Sequence, residues 1–406
     1  MKLLFIADGR SQIALNWMRY FIEGGYEVHL ASIYLCRPDL DLASLTVIPV
    51  AFSGVVGDAE QGSMGAGMKG KIVRKLATPA VRTWLRHRFV PRSLPKAAEN
   101  LQSLISNLQP DLIHAMRIPY EGMLSALALS GVSTADFDRL NPPLDARLLV
   151  SVWGNDFTLH APATRALARL TRLTLARADA LHTDCQNDMR LAREWGFSAE
   201  KPAITMPGAG GIQRDLFFPV DEPPEPVVIN PRGLRAYVRN DTFFQAVPRV
   251  LESLPGARFI CPAMQNQPEA ESWASRLGAG ESLSLLPRLR RDQMADTYRQ
   301  AQVVLSITEH DGTPNSLLEA LACGCLPIAG DIPSLREWIT PGVNGLLVDP
   351  ADPQALADAI LTALGDAELR ARAREINLHL IGERAEYRKV MGAAERFYME
   401  LIGAGV

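Results

Sequence analysis

The densest chemistry in this 406-residue chain lies in residues 309–327, Glu-His-Asp-Gly-Thr-Pro-Asn-Ser-Leu-Leu-Glu-Ala-Leu-Ala-Cys-Gly-Cys-Leu-Pro. Asp311, Gly312, Thr313 and Pro314 form a turn after the apolar run 303–307, which reads as a buried strand. A helix starts near Pro314 or Asn315, since proline suits the first helical turn. The open N–H groups of such a start, with the helix dipole, favour a diphosphate. Gly312, Thr313, Pro314, Asn315 and Ser316 are therefore candidate phosphate-binding positions. Glu319 lies one turn further in, where a carboxylate can accept hydrogen bonds from two adjacent ribose hydroxyls. The plainer reading of the same residues is an N-capping Asp and a solvated helix Glu.

Asp311 and Glu319 are followed by Gly324, Pro327, Glu337 and the run Pro-Gly-Val-Asn-Gly-Leu-Leu-Val at 341–348. This pattern resembles the donor-site signature of retaining glycosyltransferases with the GT-B fold, family 4 in particular. The resemblance covers most of the chain and is sharper in the second half. It implies that Asp311 holds the transferred sugar and Glu319 the ribose of a nucleotide diphosphate sugar. The first acid of the family's motif is more often Glu, one methylene longer. The family also places an Arg, commonly with a Lys-Gly pair, after the first strand of its second domain. Arg232 fits the Arg position; no Lys-Gly follows, and Arg235, Tyr237 and Arg239 occupy the region. Arg232, Arg235 and Arg239 are expected near the diphosphate, since guanidinium suits bidentate phosphate contact. The alternative is a solvated basic loop.

In the first half, Ser-Val-Trp-Gly-Asn-Asp-Phe at 151–157 resembles the family's strand-end His-Gly-x-Asp element. Asp156 matches the acid, and Trp153 stands where a His is frequent. The resemblance thus gives Asp311, Asp156 and Arg232 as catalytic candidates, with Asp156 as a turn cap the competing reading. His114, at a strand end, is either a sugar or acceptor contact or a packed core histidine. Gly9, Arg10 and Trp153 complete the candidate sugar or acceptor residues.

The elements that must position these groups are legible as alternation. Residues 2–7 form a short apolar run ended by Asp8-Gly9, a helical stretch runs to about Glu23, and 28–32 reads as the next strand. Strand candidates recur at 111–114, 148–152 and 180–182, with helical stretches following. A Gly- and Pro-rich break at 207–226 reads as a linker. The alternation then restarts at 227–229, 257–261, 282–286, 303–307, 326–329 and 345–348. The expected fold is α/β: two doubly wound Rossmann-like domains facing across a cleft. The boundaries are 1–211 for an acceptor-side domain, 212–382 for a nucleotide-sugar domain and 383–406 for a helix that crosses back to the first. Ligands of open α/β sheets bind beyond the carboxyl ends of strands, so the site is expected on strand-to-helix loops.

The formal net charge of -3 and a pI of about 6.2 disfavour a general nucleic-acid binder. The five cysteines are scattered and odd in number, which favours reduced, buried thiols over a disulfide framework. No carboxylate pair or Cys/His spacing indicates a metal, and no cofactor is expected beyond the sugar nucleotide as co-substrate. No stretch reads as a signal peptide or a spanning helix, so a cytoplasmic location is expected. Between Glu60 and Glu99 there is no acidic residue, while Lys69, Lys71, Arg74, Lys75, Arg82, Arg86, Arg88, Arg92 and Lys96 fall in that interval. A helix from Ala80 would place Val81, Trp84, Leu85 and Phe89 together, a basic amphipathic pattern suited to an anionic membrane surface at residues 68–92. Packing of that face on the first domain is the alternative. The expected activity is transfer of a hexosyl group, with retention and without metal, to a glycan, lipid-linked or small-molecule acceptor, as in polysaccharide biosynthesis. A nucleotide-sugar epimerase or hydrolase of the same fold, or a non-catalytic sugar-nucleotide sensor, are the competing classes.

Overall fold

The computed structural model describes residues 1–51, 53, 79–130, 144–220 and 225–403. The chain forms two compact units, Met1–Gly210 together with Met391–Val406, and Gly211–Val390. Each is built on a parallel sheet.

The strands of the first unit are β1 (Lys2–Ala7), β2 (Glu27–Ser32), β3 (Ser44–Val47), β4 (Leu112–Ala115), β5 (Leu148–Val152), β6 (Ala180–Thr183) and β7 (Ala203–Thr205). Their order is β3-β2-β1-β4-β5-β6-β7. Strands β4, β5 and β6 are buried at every position, so they read as short, mostly apolar runs broken by the buried polar residues His114, Ser151, His182 and Thr183 rather than as alternation. The edge strands β3 and β7 are partly exposed and carry polar residues, which hides them from that pattern. The order reverses between β1 and β4, the switch point at which doubly wound sheets open a crevice beyond their carboxyl ends.

Helix α1 (Gln12–Glu23) buries Trp17, Met18 and Phe21. Helix α2 (Pro79–Leu108) is 30 residues long and contains Pro91 and Pro95. An interior proline costs about 3 kcal/mol. Burial of Val90, Leu94, Ala97, Ala98, Leu101 and Ile105 along one face holds the helix together across both. Helices α3 (Met123–Ser130), α4 (Arg165–Arg177) and α5 (Gln186–Glu194) complete this unit's crossovers.

The second unit carries β8 (Val227–Ile229), β9 (Arg258–Cys261), β10 (Leu283–Leu285), β11 (Val303–Ser306), β12 (Leu326–Gly330) and β13 (Leu346–Val348). The order β10-β9-β8-β11-β12-β13 again reverses, here between β8 and β11. Between the strands lie α6 (Asn240–Ser253), α7 (Pro268–Leu277), α8 (Arg291–Arg299) and α9 (Asn315–Ala322), and after β13 come α10 (Pro353–Gly365) and α11 (Ala367–Arg384). Gly324 just past α9 has φ +91, a left-handed conformation that glycine adopts without strain at a helix stop. Phe243, Phe244, Phe259 and Ile328 lie in the core. The final helix, α12 (Tyr387–Ile402), belongs to the first unit from Met391 onward. The doubly wound architecture expected from the sequence is thus present in both halves. All five cysteines are buried free thiols.

Candidate functional site

In the second unit the chemistry gathers beyond β8 and β11, the two strands flanking the order reversal. The chain leaves β11 and reaches α9 through Glu309–Pro314. Pro314 is extended (φ -65, ψ 119) and caps the helix without a side-chain bond. Its carbonyl takes the amides of Leu317 and Leu318, at 3.0 and 3.2 Å. The amides of Asn315 and Ser316 have no acceptor among the described residues. Two donors and the positive end of a helix thus open toward any anion placed there. The turn is held from behind: Ser334 donates to the Asp311 carbonyl at 2.6 Å, and the Trp338 indole donates to the Thr313 hydroxyl at 3.1 Å.

Glu319 is buried on α9, and the side-chain amide of Asn315 donates to its Oε1 at 2.7 Å. Burial pushes its pKa up to about 7, against the pull of Arg291 and the Asn315 amide. Arg232, beyond β8, meets Asp311 at 2.6 Å, with the two side chains only 8% and 15% exposed. Burial opposes its charge, but Asp311 and Tyr237 more than offset this and keep it firmly protonated. Arg235 is exposed; it donates to the Arg232 carbonyl at 3.0 Å and to the Tyr237 hydroxyl at 3.2 Å. Burial would raise the Tyr237 phenol, yet Arg235 and Arg232 together lower it. Arg239 forks onto Asp241 at 2.9 and 2.8 Å and reaches Glu309 at 2.8 Å.

In the first unit the loops beyond β1, β2, β4 and β5 converge. Asp8 takes a two-pronged bond from Arg10, 2.9 Å at each oxygen, and Arg10 lies 3.9 Å over the Tyr34 ring. Arg117 pairs with Asp156 at 2.7 Å and stands 5.3 Å over Trp153. The Asp156 side chain is fully buried and also accepts the amides of Ile118 and Trp153, each at 3.2 Å. Burial raises its pKa despite Arg117 and those amides. Glu121 is buried at the entry to α3, and burial pushes its pKa up to about 8.

The comparisons with known proteins fall on this arrangement. Residues 9–208 match the family model "Glycosyl transferase 4-like domain", and residues 226–366 match "Glycosyl transferases group 1". The chain belongs to the group 1 glycosyltransferases. A D-inositol 3-phosphate glycosyltransferase of Xylanimonas cellulosilytica is 36% identical over 220 residues, 49% of this chain and 51% of that protein. One from Geodermatophilus obscurus is 26% identical over 51% of this chain and 50% of its own. The chain thus spans about half the length of these relatives. Among solved structures, the sucrose-phosphate synthase of Thermosynechococcus elongatus superposes with a TM-score of 0.72 at 15% identity, covering 100% of both chains. Anabaena HepE in complex with UDP-glucose gives 0.68 at 14% identity, again over 100% of both. These superpositions show the GT-B fold.

Set against this glycosyltransferase frame, the candidates sort themselves. The structure brings together Asp311, Gly312, Thr313, Pro314, Asn315, Ser316, Glu319, Arg232 and Arg235 in the second unit. Three assignments change. Arg239 faces two carboxylates and ties the first turn of α6 to Glu309, so a phosphate there would have to share it with both. Asp156 has both oxygens taken and no exposure, which makes it the anchor between the β4 and β5 loops rather than a catalytic base. His114 is a core residue: its ring bonds Tyr398 and Ser151, at 2.5 and 2.7 Å, and lies 5.3 Å from Trp17, with its pKa held far down by burial. Gly9 has a packing reason, since a Cβ there would meet the Cys36 sulfur at 2.4 Å. Trp153 keeps a buried indole N–H with no partner among the described residues. Arg117, Tyr34, Tyr120 and Glu121 were missed, because each is one polar residue in an otherwise unremarkable loop. Of the basic interval, residues 68–78 and the Arg82 side chain lie outside the described residues. The remainder begins α2, where Val81, Trp84 and Phe89 are 45%, 62% and 42% exposed. Arg86 turns away from these three, toward Tyr34 and Tyr120.

Proposed function

We propose that this protein is a retaining hexosyltransferase that takes its sugar from a nucleoside diphosphate sugar bound on the second unit. The observation that carries the reading is the start of α9. Two unbonded amides, Arg232 on the adjacent loop and the buried Glu319 carboxyl form one diphosphate-plus-ribose arrangement. In this mechanism the bond from the anomeric carbon to the diphosphate oxygen breaks as the acceptor hydroxyl attacks that carbon from the same face, and the hydroxyl proton passes to the departing diphosphate oxygen. Negative charge then develops on the departing diphosphate. Preorganised donors aimed at that charge are worth more than the same donors in water. Arg232, the Asn315 and Ser316 amides and Arg235 supply them. Tyr237, in the region where the family commonly has a Lys-Gly pair, contributes a phenol made more acidic by the two arginines. Glu319, ionised, accepts the ribose hydroxyls. Asp311, held by Arg232, faces the sugar. UDP-glucose in HepE makes UDP sugars the first donors to try, and the inositol phosphate named in the relatives makes polyol phosphates the first acceptors.

The reaction is proposed to need no metal. Among the described residues one group of three possible ligands gathers, Asp184, Cys185 and Asp188 within 4.8 Å in the first unit. Two carboxylates with a thiol are not the oxygen set that serves Mg²⁺ at a diphosphate. Calorimetric titration with UDP and UDP-glucose, then product analysis with and without acceptor, tests the whole reading. Release of UDP only with acceptor, at a rate insensitive to chelator, and an α-linked product from an α-linked donor are expected. Donor conversion without acceptor would indicate the epimerase or hydrolase chemistry, and binding without any turnover a sensor.

A place at an anionic membrane surface belongs to the same proposal. No described helix is long and apolar enough to cross a bilayer. Exposed Val81, Trp84 and Phe89 beside exposed Arg88 and Arg92 suit the interface of an anionic leaflet. Vesicle sedimentation should need anionic lipid and fall in a Trp84→Glu, Phe89→Glu double variant. Equal recovery on neutral vesicles would remove the membrane and leave the transferase.

A further inference from the structure

Arg86 is placed by α2 at the switch point of the first sheet. It bonds the Tyr34 hydroxyl, and its guanidinium lies 5.7 Å from the Tyr34 ring and 4.9 Å from the Tyr120 ring. Arg10 covers Tyr34 at 3.9 Å. Two guanidiniums thus share one aromatic ring beyond β1, β2 and β4, three neighbouring strands.

The charges near this cage do not balance. Arg10 is matched by Asp8, and Arg117 by Asp156. The remaining acid, Glu121, is buried, and its Oε2 has no hydrogen-bond partner among the described residues. Burial pushes its pKa up to about 8, so near neutral pH it is chiefly uncharged. Among the described residues no carboxylate pairs with Arg86. A half-buried guanidinium with aromatic faces and no counter-ion among the described residues is poised for an anion, because ring quadrupoles offset only part of the lost hydration. The backbone spends strain to build the cage: Tyr120 has φ +75 and ψ -58, a region a bulky residue seldom adopts. Such strain fits a ring placed for a purpose more than a ring merely filling space.

We propose that Arg86, with Arg10 and the Tyr34 and Tyr120 rings, forms a seat for a phosphate group carried by the acceptor. This rests on the transferase reading and names its acceptor class. A soluble phosphomonoester and a phospholipid headgroup share that chemistry.

The test measures two ligands on the same samples. Glycerol 3-phosphate and UDP are titrated separately into the full chain and into Arg86→Gln. The expected result is a loss of about tenfold or more in glycerol 3-phosphate affinity, as for removal of a charged hydrogen-bond partner, with UDP affinity unchanged. Equal glycerol 3-phosphate affinity in the two proteins overturns the seat, while UDP binding still reports on the transferase reading. If Arg86→Gln loses UDP binding as well, through misfolding, Arg86→Lys decides. It keeps the charge but loses the planar fork, so a several-fold weakening is expected and an unchanged affinity overturns the proposal. Phosphatidylcholine vesicles with and without phosphatidylglycerol separate the sources. A drop in anionic-vesicle binding in the Arg86 variant assigns the phosphate to lipid, and unchanged vesicle binding beside the glycerol 3-phosphate loss assigns it to a soluble acceptor.

Discussion

Arg232 and Arg239 in the second unit and Arg86 in the first are held in opposite ways. In the second unit Arg232 and Arg239 face carboxylates, Asp311 for one and Asp241 with Glu309 for the other. In the first, Arg86 faces two rings and a carboxyl that burial keeps protonated. A cation already paired must share or release its partner when a diphosphate arrives, so part of its attraction is offset in advance. A cation held by rings meets its ligand with its charge uncompensated. On the proposed reading the second unit would be tuned for rate, through charge that develops as the bond breaks, and the first for recognition.

The largest effect should come from Arg232→Gln. Losing one preorganised donor at a developing charge lowers turnover about a hundredfold to a thousandfold. Single-turnover kinetics should show this with a smaller change in ground-state nucleotide affinity. A fall in affinity alone would place Arg232 on the recognition side and break the comparison. Next comes Asp156→Asn, which leaves Arg117 without its counter-ion in a buried setting and should cost about 3 kcal/mol in denaturant unfolding. A stable variant with lost activity would restore Asp156 to catalysis.

Glu319→Gln should weaken nucleotide binding about tenfold. Its pH dependence sharpens the point. The carboxyl titrates near 4.5 when unfolded and near 7 in the fold, so its neutral form is favoured on folding. The stability it contributes is full below about 4.5 and is lost as pH rises through about 7. Nucleotide affinity should run the other way, rising through about 7 as the carboxylate forms, and Glu319→Gln should flatten both curves. A wild-type affinity independent of pH over that range would remove Glu319 from the ribose. The smallest effect belongs to Arg239→Ala. Its partners are largely solvated, so under about 1 kcal/mol of stability and no change in UDP affinity are expected. A clear loss of UDP affinity would return Arg239 to the phosphate.

Legibility from sequence followed how locally each feature is encoded. The start of α9, Glu319 and Arg232 lie in short contiguous motifs that a family resemblance picks out, and β1, β5 and β8 are short, mostly apolar runs, so local sequence found them. Helix α2 was hidden past Pro91 and Pro95, because long-range burial of Leu94, Leu101 and Ile105 overrides a local propensity. The Arg86 cage draws on residues 10, 34, 86 and 120, and its geometry depends on a positive φ at Tyr120 that no residue type announces. Asp156 and His114 were correctly placed at strand ends. What sequence could not supply was their depth, which turns one into an anchor and the other into core.

Helix α12 carries a consequence for how the molecule is made. From Met391 it completes the first unit: Tyr398 stacks on Phe21 at 4.6 Å, and Glu395 takes the Tyr20 and Tyr26 hydroxyls at 2.9 and 2.5 Å. A ribosome delivers β1 through β7 first, then all of Gly211–Val390, and only then the helix that covers Trp17 and Phe21. Throughout that interval the nascent first unit shows an open aromatic face, the kind of surface that chaperones hold. The second unit, continuous in sequence, has no such wait. Synthesis order therefore makes the first unit, begun before the second, the last to close.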